Sequence, residues 1–312
     1  MVPLKANSTT IYLLVGYFTN STLTQSRMKI IFITGLSFFA LLFSWLAPKL
    51  VETTIPVCHN AAGNDMSAMA ADPAFQRLHI APFPFTYRGT GGMVKFSTTD
   101  GQSASGFFLK AEKPSNKWLL VYQEWWGLND NIKQQAETFF NDLKDVNVLA
   151  VDMYDGKVAT EPAEAGKIMQ SASQDRLTNI MKGAIAYAGP NAEFASVGWC
   201  FGGMLSLKSA MLEGKQAKGC VMYYGRPEQD VEKLKTLKTD VLGIFGSQDK
   251  SISPESVKTF EENMQKAGEK VTVKMYDAGH GFANPSNPVY NKEASADAYK
   301  LALAYLKDKL KA

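Results

Sequence analysis

Cysteine and histidine are scarce in this chain, and the scarcity limits what it can do. Its 312 residues hold three of each. Cys58, Cys200 and Cys220 do not make a disulfide framework. There is no C-x-x-C or H-E-x-x-H, so no metal site is predicted. No G-x-G-x-x-G follows a strand and no Walker A lysine motif occurs, so nucleotide cofactors are not indicated; no cofactor is expected. A strong excess of charge of one sign is missing too. The formal net charge is +3 without long basic runs, which argues against a nucleic-acid partner. With 46% of residues hydrophobic and 20% charged, material for a globular core is ample.

Long apolar runs are absent except for one. Arg27 and Lys29 flank an apolar stretch from Ile30 to Ala47, interrupted only by Thr34, Gly35, Ser37 and Ser44. Such a run reads as a signal peptide or signal anchor rather than a core helix. Met28 is the expected translation start, because residues 1–27 are an odd extension before an export signal. This predicts an exported or membrane-anchored protein, with membrane association through residues 30–47. If the segment is an artefact of the gene boundary, the protein is cytoplasmic. Cys58 resembles a weak lipoprotein acceptor or a plain surface cysteine. Residues 48–90 lack strong periodicity and read as a linker, with one short helix near Met66–Phe75.

Residues 91–312 read as one α/β domain. Met93–Ser97 and Ala104–Lys110 alternate around Thr99-Asp100-Gly101, a hairpin signal. Strands are then predicted at Trp118–Gln123, Val146–Val151, Phe194–Val197, Cys220–Tyr224, Val241–Phe245 and Val271–Tyr276. Helices are predicted at Asp130–Leu143, Pro162–Gln170, Arg176–Ala188, after Cys200, at Pro254–Ala267 and at Glu293–Leu310. Strand–helix alternation after a hairpin implies a mostly parallel, doubly wound sheet flanked by helices. In such sheets, chemistry sits beyond the carboxyl ends of the strands.

Reactive residues do fall there. Gly198-Trp199-Cys200-Phe201-Gly202-Gly203 follows an apolar strand and opens a helix with Met204, Leu205, Leu207, Met211 and Leu212 on one face. A sharp strand-to-helix turn needs small neighbours, and this is the nucleophile-elbow pattern with cysteine at its centre. The helix N-terminus there favours a thiolate. Taken alone, Cys200 is as readily a small core residue. Glu124 ends the first parallel strand, Tyr154 follows the second, Asp249 follows Val241–Phe245, and His280 follows the last strand. Of His59, His79 and His280, only His280 is expected in the folded domain at a strand end. The order nucleophile, acid, histidine is that of α/β-hydrolases, which favours Asp249 over its rival Asp277. Each residue has a plainer use: Asp249 as a turn or helix cap, His280 as a loop histidine, Glu124 as a surface charge.

These stretches, with Gln123-Glu124-Trp125-Trp126-Gly127, Gly246-Ser247-Gln248-Asp249 and Gly279-His280-Gly281-Phe282, resemble the dienelactone hydrolase (carboxymethylenebutenolidase-like) family. The resemblance covers Gly91 to the C-terminus. It implies the α/β-hydrolase fold, with no large lid domain, and a Cys200–His280–Asp249 triad. It also implies that Glu124 contacts the resting thiol and that the backbone N–H groups of Phe201 and Trp125 form the oxyanion hole. A small ester or lactone would pass through a thioester on Cys200. The chain departs from the family where arginines should bind the substrate carboxylate. Asn284 stands four residues after His280, and Asp155-Gly156-Lys157 follows Tyr154. Trp126, Tyr154, Lys157 and Arg226 remain as candidate substrate contacts. A broader carboxylesterase or thioesterase, a noncatalytic binding protein on this scaffold and a cysteine peptidase are the competing readings. Oligomeric state is left open.

Overall fold

The computed structural model describes residues 70–77 and 79–312, so the run Ile30–Ala47, Cys58 and His59 lie outside the described residues. The elements in chain order begin with α1 (Pro73–Arg77), β1 (Gly92–Ser97), β2 (Ser103–Leu109) and β3 (Lys117–Tyr122). There follow α2 (Asp130–Leu143), β4 (Asn147–Val151), α3 (Pro162–Ser171), α4 (Gln174–Ala188) and β5 (Glu193–Trp199). The chain closes with α5 (Phe201–Glu213), β6 (Ala217–Tyr223), α6 (Val231–Leu234), β7 (Val241–Gly246), α7 (Pro254–Ala267), β8 (Val271–Tyr276) and α8 (Lys292–Leu310).

The strands form one sheet in the order β1-β2-β4-β3-β5-β6-β7-β8. The predicted hairpin pairs β1 with β2, and β2 is also antiparallel to β4; every later pairing is parallel. Strands β4 and β7 are buried along their whole length, and β3, β5 and β6 nearly so. Helices cover both faces, which is why these strands read as continuous apolar runs. At the edge, β8 exposes Thr272 and Lys274. Helix starts follow ordinary capping. Asn129, Ser173, Ser253 and Asn291 each accept a hydrogen bond from a backbone N–H in the first turn of α2, α4, α7 and α8. This is the α/β-hydrolase fold.

Two expectations need correction. Residues 70–90, read as linker, instead pack on the domain. Ala70, Phe75 and His79 are buried in it. The Ala70 carbonyl would lie 2.9 Å from a Cβ at Gly166 of α3. The Tyr87 N–H donates to Asp130 (3.0 Å), and the Phe83 N–H donates to Ser286 (2.8 Å). The helix Pro73–Arg77 within this stretch has five residues, too few to show a period. The second correction concerns α5. Its buried positions include Ser206, Ser209 and Glu213 beside Leu205, Leu207 and Ala210, while Met204, Met211 and Leu212 are only partly buried. Among the described residues, no helix is long and apolar enough to cross a membrane.

Candidate active site

The turn from β5 into α5 is held by near contact of backbones. A Cβ at Gly198 would lie 2.1 Å from the Gly202 carbonyl oxygen, and one at Gly202 would lie 2.2 Å from that of Tyr122. Neither position tolerates a side chain. Cys200 between them has φ 54° and ψ −116°. A non-glycine residue in that region costs on the order of 1–3 kcal/mol and is retained where the surroundings enforce it. The strain places Sγ at the carboxyl edge of the sheet, against the first turn of α5.

Two further loops converge on it. The loop after β8 brings His280 Nε2 to 3.3 Å from Cys200 Sγ, and the loop after β7 brings Asp249 Oδ2 to 2.6 Å from His280 Nδ1. The other Asp249 oxygen accepts the N–H groups of Ser251 (2.8 Å) and Ile252 (2.9 Å), which fix the carboxylate. All three side chains are buried. Asp277 is exposed and accepts from Gln248 (2.8 Å) and Ser247 (3.3 Å), so it faces away from the imidazole. Burial disfavours a charge on His280. Electrostatic interaction with Cys200 and Asp249 and the hydrogen bonds made with both outweigh it and raise the imidazole above its ordinary value.

Glu124, just past β3, is half-buried and accepts from the Asn284 amide (2.9 Å). Burial pushes its carboxyl up to about 7, against the pull of His280 and the Asn284 bond in the other direction. Asn284 therefore supports the carboxylate, in the place where a family arginine was expected. Glu124 and Tyr224 line a cavity of about 340 Å³ together with Phe83, Pro84 and Phe85. Tyr224 links cavity and histidine: its ring stands 5.3 Å from that of His280. No lysine or arginine lines this cavity.

The remaining predicted contacts divide. Tyr154 stacks on Phe201, ring centroids 5.6 Å apart, and its buried hydroxyl has no hydrogen-bond partner among the described residues; the Tyr224 hydroxyl and the Trp125 indole N–H are alike in this. Trp126 is buried edge-on against Trp125, and its carbonyl accepts from the Ala159 N–H at 2.9 Å, so it builds the wall behind the site. Lys157 is exposed and belongs to a separate hollow of about 280 Å³, where the Arg176 guanidinium already binds Asp155 at 2.5 Å. Arg226 is half-buried and does not line the Glu124 cavity.

One residue at the centre was not anticipated. His79 lies with Nε2 3.6 Å from Cys200 Sγ and Nδ1 2.8 Å from the Phe75 carbonyl oxygen. Its ring packs 4.6 Å from Trp125 and 5.2 Å from His280. Burial, and then the charge of His280, push it down to about 3, so it is neutral. The only sequence signal was the scarcity of histidine itself; 121 positions separate His79 from Cys200.

The chain matches the model of the dienelactone hydrolase family over residues 105–310. It is 28% identical to Protein usf of Aquifex pyrophilus over 234 residues, covering 70% of this chain and 99% of the other. A protein named as a candidate carboxymethylenebutenolidase in Aquifex aeolicus is 26% identical over 235 residues, covering 71% of this chain and all of that one. Among solved structures, the dienelactone hydrolase-like promiscuous phosphotriesterase P91 from metagenomic libraries superposes with a TM-score of 0.61 at 21% identity, covering 71% of this chain and 99% of the other. The family match spans about two-thirds of the sequence, and the chain belongs to the dienelactone hydrolase family of α/β-hydrolases.

Proposed function

We propose that this hydrolase cleaves small uncharged esters or lactones through a thioester on Cys200. The observation that carries the reading is the line Asp249 Oδ2, His280 Nδ1, His280 Nε2, Cys200 Sγ, with separations of 2.6 and 3.3 Å on a strained elbow. His280 takes the thiol proton and Asp249 stabilises the resulting imidazolium. The thiolate attacks the carbonyl carbon. The backbone N–H of Phe201, the first residue of α5, and that of Trp125 are the donors that the family resemblance assigns to the oxyanion. Collapse expels the alcohol, or opens the ring, and His280 returns the proton to the leaving oxygen. His280 then activates water to hydrolyse the thioester. Glu124 sits between the cavity and His280 as a carboxyl poised to change protonation near neutrality.

The cavity favours uncharged substrates. With no lysine or arginine in its lining, a substrate carboxylate would meet the Glu124 carboxyl and otherwise uncharged groups. The name given to the Aquifex aeolicus relative points to lactones. Hydrolysis of p-nitrophenyl acetate, of a neutral enol lactone and of a carboxylate-bearing dienelactone tests this in the full chain beside Cys200→Ala. Both neutral compounds should turn over, the charged one poorly, and none with the variant. A strong preference for the charged lactone would sink the specificity. Equal rates for wild type and variant would sink the mechanism. Turnover of the simple ester alone would place the protein among general carboxylesterases.

A further inference from the structure

Hydrogen bonding alone does not satisfy the centre around Cys200. Both histidines commit the same nitrogen outward. His79 Nδ1 faces the Phe75 carbonyl at 2.8 Å, and His280 Nδ1 faces the Asp249 carboxylate at 2.6 Å. Neither oxygen can donate, so each Nδ1 carries the proton. Each ring then turns Nε2 toward the same sulfur, at 3.6 and 3.3 Å. Between the two Nε2 atoms and the sulfur there is a single thiol proton. Placed on either histidine's side, it leaves the other imidazole lone pair facing sulfur.

A cation accepts all three lone pairs at once. The donor atoms of His79, Cys200 and His280 lie within 4.8 Å of one another. Zinc bonds of about 2.3 Å to sulfur and about 2.0–2.1 Å to nitrogen imply a tetrahedral S–N edge of roughly 3.5 Å, which the two S–N separations bracket, while the Nε2–Nε2 edge of about 3.4 Å has to be reached from within 4.8 Å. The outward bonds also suit metal binding. Ligating histidines usually donate their other N–H to a carboxylate or backbone carbonyl, which fixes ring orientation and raises basicity. Soft thiolate with imidazole suits Zn²⁺ among common divalent ions.

We propose that His79, Cys200 and His280 form a His₂Cys site for a thiophilic divalent cation, Zn²⁺ foremost, and that the bound ion reversibly blocks the nucleophile. Binding forms one metal–sulfur and two metal–nitrogen bonds and releases the thiol proton to solvent. No oxidant or reductant is needed. The metal-bound sulfur has its lone pair engaged, and His280 Nε2 can no longer move a proton. The binding half stands apart from the hydrolytic reading; the inhibition half rests on it.

Titration of the full-length protein with Co²⁺, a spectroscopic substitute for Zn²⁺, tests the site. The expected result is an equimolar thiolate-to-cobalt charge-transfer band with tetrahedral visible bands, displaced by Zn²⁺. Cys200→Ser should abolish the charge-transfer band. His79→Gln should weaken binding by more than the ~10–100-fold that loss of an outer-sphere partner costs. Cys58→Ser should leave the spectrum unchanged, which separates this site from the Cys58-His59 pair. A measurement on wild type needs no variant to fold: Zn²⁺ should protect Cys200 from iodoacetamide, read by mass spectrometry. Absence of the equimolar band, or an equal band in His79→Gln with unchanged circular dichroism, overturns the site. Binding with undiminished ester hydrolysis overturns the inhibition. Binding by a protein that hydrolyses no ester leaves the site standing and refutes the hydrolytic reading instead.

Discussion

Two carboxylates compete for His280, and hydrogen bonding decides between them. Asp249 holds the imidazole at 2.6 Å and is itself held by two backbone N–H groups, whereas Asp277 is exposed and paired with Ser247 and Gln248. Asp249→Asn should lower kcat on the order of 10³–10⁴-fold, as loss of the orienting acid does in a triad. Asp277→Asn should leave kcat within about twofold, as surface changes do. Steady-state kinetics on one ester checks both, and the reverse ranking would exchange the two roles. Glu124 makes a separate prediction. With its carboxyl raised to about 7 by burial, the charged form appears only as pH passes through that value. If the carboxylate helps deprotonate the thiol, kcat/KM should rise across that range. In Glu124→Gln the limb should vanish while activity at high pH is less affected; an unchanged limb would assign it to another group.

At the scale of the element, α5 shows where a hydrophobic pattern misleads. Its apolar residues predicted a single buried stripe, but the helix is enclosed and one wall of its environment is polar. The Tyr122 hydroxyl donates to Ser209 Oγ and Ser209 to Glu213 Oε1, each at 2.7 Å, and the other Glu213 oxygen has no partner among the described residues. Burial, opposed by the Ser209 bond, pushes the Glu213 carboxyl up to about 8, so it is buried in its neutral form. A carboxyl raised in the folded state stabilises fully below its unfolded value, near 4.5, and that contribution is lost as pH rises through about 8. Glu213→Gln keeps the shape and cannot ionise. Its thermal midpoint should therefore fall less than that of wild type between roughly pH 5 and pH 9. Parallel curves would mean that Glu213 is charged in the fold. No pattern of apolar residues could have shown this, because the network depends on Tyr122 from β3, 87 positions before Ser209. The elbow was legible for the opposite reason: Gly198 and Gly202 meet within one turn, so their constraint is local in sequence.

Across the whole molecule, topology was legible because the parallel strands are buried on both faces and punctuated by capped helices. Cys200, Asp249 and His280 could be placed because each ends or follows a strand, and the sheet brings strand ends together. Trp126 and Lys157 sit on such loops too, yet one faces the wall and the other a different hollow, since side-chain direction in a loop is set by neighbours absent from the local sequence. Residues 70–90 were the largest miss. They lack periodicity, but His79, with the Phe75 ring packed on its own, covers Cys200: Cys200 is 2% exposed with His79 against its sulfur. If this stretch completes the domain, a chain beginning at Gly91 should differ from one beginning at Ala61 in two ways. Losing the buried Phe75 side chain alone should cost about 1.5–3 kcal/mol of stability. Uncovering Cys200 should speed its alkylation by iodoacetamide on the order of tenfold or more, because reaction would no longer wait for local opening. Cys220, buried in β6, serves as the internal control, since neither truncation touches its surroundings. Equal alkylation rates and equal melting would return residues 70–90 to the status of a linker, and His79 could then be neither a lid on the thiol nor a partner in binding a cation.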